Sequence, residues 1–266
     1  MTTETIAIKK RVTPLETMRH TAVIAERNLR RIIRLPQLLV FATIQPVMFV
    51  LLFAYVFGGA INIPGVNYID FLIPGILVQT ALFGATNTSI GLTEDLQSGI
   101  IDRFRSLPMA RSAVLAGRTG SDAVRTLFVV LLMLVVGFLI GFRFHAGLLP
   151  AFGAIALAVI VGYSAAWVMA AIGLVAKTPE AAQAASFVLM FPFVFASSAF
   201  VPVETMPGWL QVFAENQPVT KFVDALRALI LGGPTATPVF QALTWLVVIL
   251  AIFIPLSVRQ YRRSAE

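Results

Sequence analysis

Side chains able to do covalent chemistry are scarce in this sequence, and their spacing rules out most of it. Cysteine is absent, which removes disulfides, thiolate nucleophiles and cysteine metal sites. The two histidines, His20 and His145, lie far apart and make no metal-ligand pattern. No G-x-x-x-x-G-K-S/T run occurs and no lysine follows a glycine, so the chain has no Walker loop to cradle ATP phosphates. What remains is charge in one unusual place. The stretch "SGIIDRFRSLPMARSAVLAGR", residues 98–118, carries four arginines and one aspartate between long apolar runs. Its chemistry is that of gripping and positioning: either a bare connecting loop or a surface that something else holds.

The rest of the chain sets the solvent for that loop. Apolar residues make up 58% of the 266 and charged residues 12%, against about 25% charged in a soluble domain. This is the composition of a membrane protein, and its 18 glycines and 15 prolines fit bilayer helices. The net charge of +7 is distributed toward the membrane surface, not toward nucleic acid. A span needs about 20 apolar residues to cross about 30 Å of hydrocarbon. Six such runs are predicted, near 37–59, 69–92, 121–142, 148–176, 180–202 and 236–258. No cleavable signal is expected, because Lys9, Lys10 and Arg11 precede a charged stretch and not an apolar core.

Orientation follows from lysine and arginine, which accumulate in cytoplasmic loops. Lys9, Lys10, Arg11, Arg19, Arg27, Arg30, Arg31 and Arg34 precede the first span, and Arg259, Arg262 and Arg263 follow the last. Arg103, Arg105, Arg111 and Arg118 lie between spans two and three; later loops hold only Lys177, or Lys221 and Arg227, with Arg143 assigned to the inner side. Both termini and the 98–118 loop are therefore expected in the cytoplasm.

Two amphipathic elements flank this layout. "TPLE" at 13–16 supplies an N-cap, a proline at the first helical position and a capping box. The helix it starts puts Leu15, Met18, Ala22, Ala25, Leu29, Ile32 and Ile33 opposite Glu16, Arg19, Glu26, Arg27, Arg30, Arg31 and Arg34, as in an interfacial helix. It serves as a topological anchor or touches a partner. In the loop, Gly99 breaks span two. Ile100, Ile101, Phe104 and Leu107 then recur at helical spacing opposite Asp102, Arg103 and Arg105, until Pro108 ends the turn. A docking element and a plain interfacial loop both fit these residues.

"GIIDRFRSLPMARSAVLAGR" resembles the hallmark of the type-2 ATP-binding-cassette (ABC) permeases, near the branch named for daunorubicin resistance. A second match, "VETMPGWLQVFAENQPVTKFVDALRALILGG" at 203–233, resembles that family's outer hairpin between spans five and six. It departs from the family at Gln217, where Asn commonly adjoins the proline; here Asn216 sits one residue early. The resemblance covers nearly the whole chain. It implies an all-α permease: a cytoplasmic amphipathic helix (1–36), a six-span domain (37–258) with a coupling loop (93–120) and an outer re-entrant-like helical hairpin (203–235), and a cytoplasmic tail (259–266).

The resemblance further implies that Gly99, Ile100, Ile101, Asp102, Arg103, Phe104, Arg105, Leu107 and Pro108 form a coupling helix seated on a separate ATPase subunit. Two copies of that subunit would carry the ATP and Mg; this chain binds no cofactor and pairs with a second permease in the plasma membrane. Spans one, two and five would line the route. Gln45, Gln79, Thr80, Asn87, Met190, Phe191, Phe193 and Phe195 are the candidates, with ordinary packing or lipid contact as the alternative. Trp209, Phe222, Asp224 and Arg227 mark an outer gate, or a lid that only seals the bundle. In that hairpin Val219, Phe222, Val223, Leu226, Leu229 and Ile230 form an apolar stripe, and Lys221, Asp224 and Arg227 pair on the polar face.

Asp70, Asp122, Arg125 and Glu180 fall at the predicted span ends, which leaves no ionisable group mid-span. Proton-coupled carriers usually keep such groups, so an exporter of hydrophobic or amphipathic compounds (drug, polyketide or lipid) driven by an outside ATPase fits better than an ATP-independent secondary carrier or channel. Ala154, Ala158, Gly162, Ala166 and Ala170 form a small-residue seam for packing inside the subunit. Pro46, Pro74 and Pro192 are expected to kink spans one, two and five.

Overall fold

The computed structural model describes Thr21 and residues 23–26, 36–58, 63, 65–99 and 111–263. Every regular element among them is a helix. α1 (Pro36–Leu51) runs into a π-helical turn, Leu52–Phe57. Asn67 accepts the Ile69 amide at 3.0 Å and so caps α2 (Tyr68–Gly84). Ala85 joins α2 to α3 (Thr86–Gln97). α4 (Arg111–Leu139) and α5 (Leu148–Gly173) follow. Thr178, with Pro179 behind it, caps α6 (Pro179–Phe195). After a 3₁₀ turn at Val203–Thr205 come α7 (Gly208–Asn216), α8 (Pro218–Leu231) and α9 (Ala236–Arg263).

Four stretches are long and apolar enough to cross a membrane: Tyr68–Gln97, Leu115–Leu139, Leu148–Gly173 and Ala236–Tyr261. Thr43–Val56 and Pro179–Phe195 are apolar but shorter. All six coincide with runs expected from the sequence. Pro46, Pro74 and Pro192 each lie inside a helix, as does Pro255 in α9.

α5 is the axis of the bundle, touching α2, α3, α4, α6, α8 and α9. It is apolar on every side and packed over most of its circumference, with Phe152, Ala156 and Ile160 forming one uncovered stripe. Its small-residue seam is buried throughout: Ala154, Ala158, Ala166 and Ala170 are at most 1% exposed, and Gly162 lies against Thr126 of α4 and Ala81 of α2. Two glycines let backbones meet. A Cβ on Gly173 would collide with the Ser89 carbonyl of α3, and one on Gly75 with the Ala199 carbonyl.

Three details differ from expectation. α4 begins at Arg111, ten residues before the predicted span, because the small and polar run up to Ser121 scores poorly as hydrocarbon yet continues the helix against its neighbours. Arg143 does not share an end with Lys177, as its assignment to the inner side would require. Its backbone N–H donates to Asp70 Oδ1 at 3.0 Å, at the start of α2, and the neighbouring His145 N–H reaches Ile230 O at 2.9 Å. It therefore shares an end with Asn67 and α8, whereas Lys177, whose carbonyl takes Gln97 Nε2 at 2.9 Å, lies at the opposite end. Of the N-terminal helix, Thr21 and residues 23–26 are described and helical. Ile24, left off the predicted apolar arc, is 3% exposed and packs with Leu92, Leu115, Trp167, Leu174 and Tyr261; at this point the helix faces the bundle. The TPLE cap lies outside the described residues.

Candidate functional site

The break at Ala85 is written in side chains. Thr86 donates to Phe83 O (2.7 Å), Asn87 Nδ2 to Gly84 O (3.1 Å), Ser89 to Thr86 O (2.8 Å) and Thr93 to Ser89 O (3.0 Å). Each hydroxyl or amide competes locally for a helix carbonyl. The Thr88 amide bonds Ala85 O at 2.9 Å, a tightened turn that leaves Gly84 O to side chains. Arg125 Nη2 takes that carbonyl at 2.5 Å. Interrupted backbone inside a membrane protein needs such partners.

Arg125 stands at the midpoint of α4 and Gly84 near the midpoint of Tyr68–Gln97. The expectation of no ionisable group mid-span is therefore corrected: Asp122 and Arg125 lie well inside, a consequence of the earlier start of α4. Asp122 Oδ1 is 3.3 Å from Arg125 Nη2, and its Oδ2 accepts the Thr88 hydroxyl at 2.5 Å. Further along α3, Arg118 donates to Asp95 Oδ2 at 2.6 Å and to Gly91 O at 3.0 Å. Ser89 meets Ser186 at 2.7 Å, and the Thr93 hydroxyl reaches Gly173 O at 2.9 Å. A polar ladder thus ties α3 to α4, α5 and α6, so the buried cations have partners.

Beside the break lies a cavity of about 360 Å³ between α1, α2, α3, α4 and α6. Gln45, Gln79, Thr80, Thr86, Asn87, Arg125, Thr126 and Gln183 supply its polar lining; Pro46, Phe83, Gly84, Ile90, Val129 and Phe187 supply the rest. The Phe83 and Phe187 rings are 5.5 Å apart. Gln79 Oε1 and Thr80 Oγ1 are buried without a hydrogen-bond partner. Of the sequence-derived route candidates, Gln45, Gln79, Thr80 and Asn87 come together here. The other four do not. Phe191 is 54% exposed and stacks on Phe195 at 4.3 Å. Phe195 joins Phe49, Phe53 and Phe200 in an aromatic cluster. Phe193 packs on Phe213 of α7, and Met190 is buried in the core. Arg125, Thr126, Gln183 and Phe187 were missed. Arg125 and Gln183, polar side chains close to apolar runs, were the available signal.

The outer-gate residues do not form one cluster. Trp209 is 77% exposed, Phe222 is 2% exposed in the core, and Asp224 and Arg227 approach to 3.6 Å. Arg227 is turned inward. It lies over the Phe71 ring, 3.4 Å from the centroid, and donates to the carbonyls of Phe71 (3.1 Å) and Ser198. Ser198 Oγ also donates to Asp224 at 2.9 Å. Burial lowers the Arg227 pKa, which Asp224 partly restores, and burial pushes the Asp224 carboxyl up against the pull of Ser198 and Arg227. Gln217 is structural: its Oε1 caps α8 through Val219 N (2.9 Å), and its Nε2 donates to Phe193 O (3.0 Å) at the end of α6. Val219, Phe222, Val223, Leu226 and Ile230 are buried as their stripe predicts. Gly99, at φ 68°, bonds Leu96 O at 3.3 Å and ends α3. The remaining coupling candidates, Ile100, Ile101, Asp102, Arg103, Phe104, Arg105, Leu107 and Pro108, lie outside the described residues. Among the described residues no group of three or more His, Asp or Glu could hold a metal.

The family profile of the ABC-2 type transporters matches residues 19–231. The daunorubicin resistance ABC transporter permease protein of Streptomyces coeruleorubidus is 34% identical over 229 residues, covering 86% of this chain and 81% of its own. A probable doxorubicin resistance ABC transporter permease protein of Mycobacterium tuberculosis is 30% identical over 226 residues, with 84% and 81% covered. A putative transport permease of Cyanophora paradoxa is 29% identical over 217 residues, with 78% and 72% covered.

Proposed function

Because this chain belongs to the ABC-2 type transporter family, we propose that it is the membrane-spanning subunit of an ATP-driven exporter of hydrophobic or amphipathic compounds, drug, polyketide or lipid. The observation that carries the reading is the cavity at the mid-length break of the second span. Gln45, Asn87 and Gln183 are exposed there, between helices whose outer faces are apolar. Amides at that level do not belong against lipid tails; they belong against water, a passing solute or a second subunit. In this proposal the chain crosses the plasma membrane six times with both termini in the cytoplasm, and it pairs with a second permease. Two ATPase subunits carry ATP and Mg. Residues 99–108 seat on them, Arg103 and Arg105 forming the charged side of the contact and Phe104 the apolar side. Asp224 and Arg227, with Trp209 and Phe222 on the same hairpin, close the outer end.

The test is reconstitution with the ATPase subunit in proteoliposomes. A fluorescent amphiphile and a fluorescent lipid should move only with hydrolysable ATP. Arg103→Glu/Arg105→Glu should insert normally but lose substrate-stimulated ATP hydrolysis, and full stimulation in that variant would reduce the loop to a topological signal. The buried Asp122–Arg125 pair favours one rival, an ATP-independent secondary carrier. Movement driven by a pH gradient in ATP-free vesicles would establish that rival instead.

A further inference from the structure

The lining of the central cavity has a sign. Arg125 is its single charged residue; the carboxylate that neutralises Arg125 stands behind it, outside the lining, with Asp122 Oδ2 taken by Thr88. The cavity therefore faces the positive end of a buried ion pair. Arg125 Nη2 is occupied by Gly84 O and Asp122, whereas Nε and Nη1 make no hydrogen bond among the described residues. Two more polar groups are unmatched in the same wall: Gln79 is 3% exposed and Thr80 8%, and their side-chain oxygens are buried without partners. A hydroxyl can donate, and an amide offers a donor or an acceptor according to which way round it sits. Unmatched polar groups in a buried wall are costly unless a ligand or water satisfies them.

We infer that the cavity holds the oxyanion head, a carboxylate or phosphate, of an amphipathic substrate. Arg125 grips the head, Gln79 and Thr80 orient it, and the tail lies along Phe83 and Phe187. The Nε–H and Nη1–H groups of Arg125 left over can each donate to an oxyanion oxygen, and in a low-dielectric wall the positive charge discriminates strongly against a cation. The volume of about 360 Å³ admits a head group and the first part of a chain. This inference rests on the reading of the cavity as a substrate site.

The experiment uses the full-length permease in phosphatidylcholine nanodiscs without nucleotide, so that its outcome is separate from whether ATP drives export. Four fluorescent twelve-carbon probes share one tail and differ in head: carboxylate, phosphate, methyl ester and amine. The two oxyanions should bind about tenfold tighter than the ester, the worth of one hydrogen bond to a charged group, and the amine weakest. Asp122→Asn/Arg125→Gln, which removes both charges together, should bring the oxyanions down to the ester's affinity and leave the ester unchanged. Gln79→Leu leaves the ion pair in place and should weaken the oxyanions several-fold. The wild-type series stands by itself if the double variant does not fold. Equal binding of ester or amine and oxyanion by the wild type overturns the inference, as does an undiminished preference in a folded double variant. Repeating the series with phosphatidylglycerol in the disc identifies the source of the head. Competition by that lipid points to a membrane lipid, and unchanged affinity points to a separate amphiphile; either way the oxyanion head stands. Loss of head-group preference with ATP-driven export intact would remove this inference and leave the proposed function untouched.

Discussion

Arg227 shows how one side chain can fasten an element that looks peripheral in the sequence. Its guanidinium covers Phe71 and holds the carbonyls of Phe71 and Ser198, so it joins α8 to α2 and to the segment after α6. Arg227→Leu leaves these carbonyls without a donor and should cost about 2 to 4 kcal/mol, read as a drop in thermal midpoint in detergent. Asp224→Asn should cost much less. The carboxyl is only half-buried, its pKa already raised by burial, and the amide keeps an acceptor for Ser198. A larger loss from Asp224→Asn than from Arg227→Leu would mean that the ion pair, not the carbonyl grip, holds the hairpin. The i, i+3 spacing of these two residues was legible in the sequence. The inward turn of Arg227 was not, because an amphipathic stripe does not say whether the opposite face meets water or a neighbouring helix.

At the scale of elements, the outcome turns on α3, the polar continuation of span two. Its Thr86-Asn87-Thr88-Ser89 run bends the backbone away from regular bonding, and Gly173 lets α5 approach until its Cα lies against the Ser89 carbonyl. Gly173→Val would force these backbones apart, and should give a chain that inserts but loses folded yield, as overpacking in a tight core does at about 1 to 3 kcal/mol or more. Thr86→Ala/Asn87→Leu removes two local competitors for helix carbonyls. The expected result is a straighter second span: Gly84 O returns to its own helix, Arg125 loses that bond, and transport falls while the protein stays folded. Wild-type transport in that variant would make the break incidental. The six apolar runs, the Gly99 stop and the α5 seam could all be read from composition and spacing, since a lipid-crossing helix must announce its length and a close contact must use small residues. The mid-span ion pair could not, because Ser112, Gly117, Thr119 and Gly120 lower the apparent hydrophobicity of a helix that starts earlier than its greasy part. The cavity drew residues from α1, α2, α3, α4 and α6, and only their packing brings Gln183 and Arg125 to one level.

Across the whole molecule, charge and apolar surface together decide which end meets which compartment. The end formed by Asn67, Arg143–His145 and the α7–α8 hairpin carries Arg143, Lys221 and the inward-turned Arg227, while the other end carries Lys177, Arg111, Arg118, Arg259, Arg262 and Arg263. Between them α9 presents Phe240, Leu243, Val247, Val248, Ile252 and Leu256 outward, and α4 presents Leu127, Phe128, Leu131 and Val135, surfaces that only hydrocarbon or another membrane helix can cover. Lysine and arginine are retained on the cytoplasmic side during insertion, so the basic end should be cytoplasmic. The absence of cysteine makes this testable one position at a time. Val66→Cys stands in the exposed turn before α2, and Lys177→Cys in the exposed turn before α6. In whole cells an impermeant maleimide should label Val66→Cys and leave Lys177→Cys unmodified until the membrane is opened. The assignment of Arg143 is tested by the same means: Ala146→Cys, on the loop that shares an end with Asn67, should behave like Val66→Cys. If Lys177→Cys labels from outside while Val66→Cys and Ala146→Cys both stay protected, the charge asymmetry has been read with the wrong sign and the proposed cytoplasmic docking of residues 99–108 fails with it.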